Sequence, residues 1–384
     1  MGFQFDRIID RTGTSSSKWE KYAGRDILPF WVADMDFATP ELIRAAVAER
    51  LGHEVLGYTR TPPSLVAAFI GWLARSYAWT VPEEWLVWIP GVVPGVNLTA
   101  RAVAEPGGAI VVPVPVYYPF LSVARNAGQT ELRVPLVRQG RRWVMDFTAL
   151  QDAVDAFDGG RARLLLLSNP QNPTGRAYTR AELTALADFC FANDLTLCSD
   201  EIHSAIIIDP EARHVPIASL DPEIARRTVS LFAATKTYNM PGLSCAVAVI
   251  PDPELRRAFI RAQAGLVPGI GPLALAASEA AFADDTDYLP ALLDYLRENH
   301  RRLAEVAGER MTPVEATYLG WIDLTDTPVA ARAGAHFEAH GLGLSDGGPF
   351  GGPGYVRFNF ACPRVLLDRG LERLAAGLDA LNGH

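Results

Sequence analysis

The sequence predicts an α/β protein, with a larger unit built on a mostly parallel sheet and a smaller α+β unit joined to it. Three observations predict this. Apolar runs of strand length recur through the middle of the chain, separated by segments of helical length and period. Those runs are apolar at nearly every position instead of alternate ones, as in strands covered on both faces. The 384 residues, 49% hydrophobic and 21% charged, are material for roughly two to three domains around a large core.

Taken in order, Ala109–Pro113 reads as a strand that leads into Pro115-Val116-Tyr117-Tyr118. The runs Arg163–Ser168, Leu195–Asp200, Val229–Thr235 and Cys245–Ile250 follow, all read as buried strands of the parallel sheet. Between the first two of these four, Thr179 and Glu182 form a T-x-x-E capping box, and Leu183, Leu186, Ala187 and Cys190 repeat at helical spacing. Asp252-Pro253 opens another helix, with proline at the first helical position. From about Leu289 the chain is richer in charge. It carries a helix over Pro290–Val306, a strand-like Tyr318–Leu324, a Gly-rich turn from Gly347 to Gly354, and a strand over Tyr355–Phe360. In that last strand Val356, Phe358 and Phe360 alternate with Tyr355, Arg357 and Asn359, which turns Arg357 away from the apolar set. The expected division is residues 1–45 as an N-terminal arm and part of the small domain, 46–285 as the large domain, and 286–384 as the C-terminal small domain.

Several function classes are set aside by composition. Lys plus Arg is 35 against 44 for Asp plus Glu, a net charge of −9, and basic residues adjoin only in pairs such as Arg141-Arg142. A polyanion partner is therefore not expected. The N-terminus is charged by Asp6 and has no apolar core, so no secretory signal is expected, and Asp6 also breaks the myristoylation pattern. The uncharged stretch Ala262–Ser278 is broken by Pro268, Gly269, Gly271 and Pro272, so no membrane span is read there. Four cysteines without a C-x-x-C spacing suit a reducing compartment, and a cytoplasmic protein is expected. His336 and His340 flank a glutamate at the wrong place for H-E-x-x-H and read as an exposed helix face, not a metal site; Cys362 reads as buried packing.

In an open parallel sheet, ligands gather beyond the carboxyl ends of the strands. Three successive strand ends here offer an amide in Asn169–Gly175, a carboxylate in Asp200-Glu201-Ile202-His203, and a lysine in Thr235-Lys236-Thr237. Each has a plainer reading alone: a helix cap, a solvated lysine, a packing tyrosine. Together they are harder to dismiss. A lysine directly after an apolar strand is costly to bury unless its ammonium is neutralised or used. An acid, an amide and a stacking aromatic beside it match the needs of pyridoxal phosphate, whose ring nitrogen requires an acidic partner if the ring is to take up electrons.

The strings Asn172-Pro173-Thr174-Gly175, Asp200-Glu201-Ile202-His203 and Thr235-Lys236-Thr237-Tyr238-Asn239-Met240-Pro241-Gly242-Leu243 resemble fold-type I pyridoxal-phosphate enzymes of the aminotransferase class I/II superfamily. Within it the chain is similar to the cystathionine β-lyase (C–S lyase) branch, on Phe30–Phe37, Gly57-Tyr58-Thr59, Pro90–Val93, Pro115–Phe120 and Asn359–Arg364. The likeness runs from about Phe5 to the C-terminal helix. Thr235, Pro241, Ala205 and Gly269–Pro272 depart from the branch pattern without removing a catalytic group.

The resemblance implies the pyridoxal-phosphate transferase fold and a role for each matching residue. Lys236 anchors the cofactor and shuttles the Cα proton. Asp200 keeps the ring nitrogen protonated, Asn172 bonds the ring oxygen with His203 beside it, and Tyr117 stacks on the ring. The phosphate sits on the amides of Val92 and Val93 after Gly91, with Thr235 adding a hydroxyl. Tyr58 reaches the phosphate of a neighbouring subunit, which implies a homodimer. Arg357 clamps the α-carboxylate of an amino-acid substrate, with Ala33 also in contact with it. The implied reaction is C–S β-elimination from cystathionine-like amino acids or cysteine S-conjugates, giving thiol, pyruvate and ammonia. Transamination is the alternative, since it uses the same residues. A non-catalytic regulator is disfavoured because Lys236 and Asp200 are both present.

Overall fold

The computed structural model describes residues 3–381, and in it the apolar runs join one seven-stranded sheet. The strands are β1 Leu86–Ile89, β2 Ala109–Val114, β3 Thr130–Pro135, β4 Ala162–Ser168, β5 Thr196–Asp200, β6 Thr228–Phe232 and β7 Ala246–Val249. Their order across the sheet is β1-β7-β6-β5-β4-β2-β3. β3, β2, β4, β5 and β6 are parallel neighbours. The register sets Ser168 beside Asp200 and Asp200 beside Leu231, so the carboxyl ends of β4, β5 and β6 open onto one place. Every residue of β2, β6 and β7 is buried, which is the physical reason for their unbroken apolarity.

One strand corrects the expectation. The sequence predicts Cys245–Ile250 as another parallel strand, but β7 runs antiparallel to both β6 and β1. Parallel neighbours need a crossover, usually a helix, and the link from Ala233 to Cys245 contains none, so the chain can only turn back. Burial on both faces makes the two directions look alike in sequence. The preceding strand also ends at Phe232, earlier than Thr235, and Thr235 and Lys236 belong to the turn.

Helices cover both faces. Arg180–Ala192 starts on the complete Thr179–Glu182 capping box, and Asp252 caps Pro253–Gln263 by accepting from the amides of Glu254 and Leu255. Val92–Val103 packs against β4 to β7. The smaller part holds the helix Tyr288–Ala307, the helix Arg364–Asp379, and an antiparallel sheet of β8 Leu319–Asp323, β9 Ser345–Asp346 and β10 Tyr355–Asn359, with β10 in the middle. His336 and His340 are half-buried, not on an open face: His336 Nε2 lies 2.8 Å from Gly377 O, and His340 Nδ1 lies 2.8 Å from His336 O. Among the described residues no cluster suits a metal ion, and no helix is long and apolar enough to cross a membrane.

The N-terminal segment stitches the two parts together. Leu28–Pro29 pairs in parallel with Leu342–Gly343, and the Asn359 and Asp36 amides donate to Phe30 O and Ala361 O at 2.9 Å. A single apolar core runs from Phe30 and Phe358 through Tyr288 to Phe69 and Phe232. Arg11 and Lys18 add a buried ionic knot, at 2.6 Å from Asp34 and 2.5 Å from Asp36 respectively.

Phe30 tests how tightly this seam is packed. A Cβ on Gly370 would lie 2.5 Å from Phe30 Cζ, and that ring is fully buried. Gly370→Ala gains up to about 1 kcal/mol of helix propensity, but overpacking costs ~1–3 kcal/mol. The expected net result is a lower denaturant midpoint, and an unchanged or higher midpoint would show the seam to be loose.

Candidate active site

The lysine turn is built first, because everything else faces it. After β6 the amides of Tyr238 and Met240 donate to Ala234 O and Thr235 O, both at 3.0 Å. Asn239 has φ 48°, a left-handed conformation that asparagine tolerates better than most residues. Its side chain accepts from the Met35 amide (2.9 Å) and donates to Met35 O (3.0 Å) and Phe37 O (2.7 Å). The turn is thereby clamped to segment 33–37. Lys236 Nζ donates to Ala33 O at 2.6 Å, and the Tyr318 hydroxyl donates to the same oxygen at 3.0 Å. Enclosure pushes the lysine down to about 8, with the Arg357 charge adding to it and Asp34 and Asp200 opposing.

Asp200 closes β5 and is buried; its Oδ1 accepts from the Ile202 amide at 3.0 Å. Burial pushes its carboxyl up to about 7, against the Ile202 hydrogen bond, with Glu201 raising it and Lys236 lowering it. Asn172, beyond β4, offers Oδ1 to Arg357 Nη1 at 2.9 Å, and its Nδ2 has no protein acceptor among the described residues. His203 is buried with its ring edge-on to Tyr318 at 5.8 Å and its Nδ1 without a partner. Burial, with the Lys236 and Arg357 charges, holds its pKa far below the usual value, so it is neutral. Tyr117 is half-buried beyond β2, its phenol pushed up to about 12 by burial, with Tyr118 and Asp200 adding to the shift and the Arg357 charge opposing it.

Arg357 settles its own question. It is buried in β10, donating from Nη1 to Asn172 and from Nη2 to Trp31 O (2.7 Å) and Ser345 Oγ (3.3 Å), and its cation lies 4.7 Å over the Phe350 ring. All these partners are neutral, Nε has none, and burial pushes the group down to about 10. A surface or ion-pair arginine would look different. A buried guanidinium without a carboxylate is a place for an anion from outside the chain.

The remaining expected residues divide. Thr235 is buried next to Lys236, and Ala33 takes part through its carbonyl. Val92 and Val93 open the helix Val92–Val103, whose N-cap Gly91 supplies no side-chain cap, so the first amides are free for an anion. Tyr58 is fully exposed between the helices Glu41–Leu51 and Pro63–Tyr77 and is not brought to this cluster within the chain. Sequence reasoning missed Tyr318, Phe350, Ser345 and the Trp31 carbonyl as site groups. Ser345 faces Arg357 only through a two-residue strand inside a Gly-rich stretch, which leaves no periodic signal.

The cluster combines an amine of lowered basicity, a buried acid with no bonded cation, an arginine with no anion, a neutral imidazole and an aromatic ring. The model for aminotransferase class I and II matches residues 25–374 of this chain. The chain belongs to that family. It is 34% identical, over 97% of its length, to cystathionine beta-lyase PatB of Bacillus subtilis strain 168, of which 99% is covered. The solved structure of OvoB matches it with TM-score 0.94 at 41% identity, covering 100% of both chains. Cystalysin from Treponema denticola, whose crystal structure contains a pyridoxal 5'-phosphate cofactor, matches with TM-score 0.92 at 28% identity, covering 99% of this chain and 100% of the other. The expected fold, that of fold-type I members of the aminotransferase class I/II superfamily, is thus borne out along the whole chain.

The raised carboxyl has a stability signature in protein prepared without cofactor. Folded Asp200 keeps its proton to about 7, whereas the unfolded chain releases it near ~4. Its contribution is full below that lower value and is lost as pH rises to 7. Asp200→Asn has no such proton to lose. Its melting temperature should exceed that of wild type by a margin that widens from pH 4 to 7 and then levels, and a pH-independent margin would contradict the burial argument.

Proposed function

We propose that this family member is a pyridoxal-phosphate-dependent C–S β-lyase. Its substrates would be cystathionine-like amino acids or cysteine S-conjugates, and its products thiol, pyruvate and ammonia. The observation that carries the reading is the convergence of Lys236, Asp200 and Arg357, none of them neutralised by a bonded counter-charge, in a chain similar over nearly its full length to a cystathionine beta-lyase.

The residues present fit the cofactor. Bound at Lys236, pyridoxal phosphate supplies a sink for the negative charge that develops at the substrate Cα. Asp200 would hold the proton on the ring nitrogen, and its carboxyl, buried without a bonded cation, suits a positive partner. Asn172 Nδ2 and the neutral His203 would face the ring oxygen, and Tyr117 would cover the ring. The free amides of Val92 and Val93 and the Thr235 hydroxyl would take the phosphate. Arg357 would grip the α-carboxylate with its planar fork, orienting the Cα–H toward Lys236 Nζ. Lys236 would take that proton, and the lowering of its pKa to about 8 leaves a useful fraction of free amine near neutral pH. The Cβ–S bond then breaks and the thiolate leaves.

The fully exposed Tyr58 supports a homodimer in which it reaches the partner's site. The cytoplasm is the proposed compartment. The division at residues 45/46 and 285/286 is proposed likewise, although the helix Glu41–Leu51 runs through the first boundary.

Three measurements test this. Borohydride reduction and peptide mapping should place the cofactor on Lys236; a label on another lysine would refute the assignment. With cystathionine, pyruvate and thiol should form; a keto acid that keeps the sulfur substituent would instead establish transamination. Arg357→Lys keeps charge but loses the fork, and kcat/KM toward amino acids should fall at least about tenfold, which is about 1.4 kcal/mol. Cofactor absorbance and Tm should hold, and unchanged efficiency across several substrates would return Arg357 to a structural role.

A further inference from the structure

Behind Asp200 lies a second buried carboxylate that the mechanism above does not use. Glu201 follows Asp200 directly and is completely buried. Its backbone amide still donates to Leu231 O at 2.9 Å, so the strand geometry continues through it. Successive side chains of a strand point to opposite faces, which puts Ser199 and Glu201 on one face and Asp200 on the other. The Ser199 hydroxyl donates to Glu201 Oε1 at 2.6 Å, bridging across Asp200, and His214 Nε2 lies 2.5 Å from Glu201 Oε2. The His214 ring is buried, meets the Tyr77 ring edge-on at 5.3 Å, and has no partner at Nδ1.

The hydrogen-bond census decides the charge of this group. Glu201 has two oxygens and two donors, the arrangement of an ionised carboxylate. With Nε2 donating, a neutral His214 leaves only a bare lone pair at Nδ1, whereas a protonated ring would leave a buried N–H unpaired, which is rarely seen and costly. The facing groups do not cancel the charge. Ser199 and Tyr77 are neutral, and the titratable groups facing Asp200 are Glu201, Lys236, Tyr117 and Cys198.

We propose that Glu201 is a positioning residue, a fixed buried anion held by Ser199 and a neutral His214. It orients Asp200 and strengthens that carboxylate as a base toward the ring nitrogen of pyridoxal phosphate. The proposal rests on the functional reading above. An anion one residue away acts more strongly on Asp200 than on the more distant ring nitrogen. Glu201 therefore shifts the proton between them toward Asp200 and moderates the electron sink.

The test is the pH titration of the cofactor absorption band in substrate-free holoenzyme. Glu201→Gln removes the charge at nearly constant volume. Asp200 then becomes the weaker base, the ring-nitrogen proton stays on nitrogen, and its positive charge repels the proton whose loss the band reports. The midpoint should move down by about half to one pH unit, roughly a three- to tenfold change in proton affinity. His214→Gln replaces one neutral donor with another and should leave the midpoint in place. An unmoved midpoint in E201Q overturns the proposal, as does an upward shift in H214Q, which would mean that His214 is cationic and cancels Glu201. Should H214Q fail to fold, E201Q alone decides. Wild-type protein that takes up no pyridoxal phosphate overturns the functional reading and this inference together, whereas a band that is present but unmoved in E201Q overturns only the inference.

Discussion

The site depends on desolvation without neutralisation. Asp200 and Arg357 are buried and Lys236 is half-buried, and none is bonded to an opposite charge: the lysine rests on a carbonyl, the aspartate on an amide, the arginine on an amide oxygen, a carbonyl and a hydroxyl. Direct pairing would have stabilised each group and consumed it. Neutral dipoles hold the three apart in place, and the cost shows in their displaced proton affinities. The rest of the fold supports that arrangement. Parallel strands bring three loop ends together, the short link after β6 holds the lysine on a turn, and the small antiparallel sheet delivers the arginine from the other side.

How much of this could be read in the sequence follows from the range of the interactions. Unbroken apolar runs, the Thr179–Glu182 box and the Asp252 cap are local, and they appear where expected. The direction of β7 is not local, because a strand covered on both faces carries no mark of its neighbours' direction. Lys236, Asp200 and Asn172 were legible because each lies at or just beyond the end of an apolar run. Tyr318 and Ser345 were not, since their relevance comes from a shared carbonyl and a cross-strand register set only by the closed fold.

Arg357 shows where alternation reasoning succeeds and where it stops. The pattern in β10 correctly separates it from Val356 and Phe358, which enter the main core. It cannot say that the opposite face is buried as well, against Phe350 and Asn172. The same strand could have carried a solvated arginine with no change in its own sequence. The difference lies in the Gly-rich turn before it and in the loop beyond β4.

Segment 30–37 has a consequence for recombining this protein with its relatives. Its Phe30 and Asp36 backbone groups bond to the small part, its Met35 and Phe37 carbonyls to the Asn239 side chain of the lysine turn, and its Ala33 carbonyl to Lys236 itself. In sequence it stands far from the lysine turn and from the small-part strand to which it bonds. A chimera cut at the proposed boundary near residue 286 would therefore inherit a small part from one parent and its seam from the other. Clean exchange requires residues 28–37 to travel with the C-terminal piece. That splits the natural unit of inheritance into two stretches, with the whole lysine-bearing sheet between them.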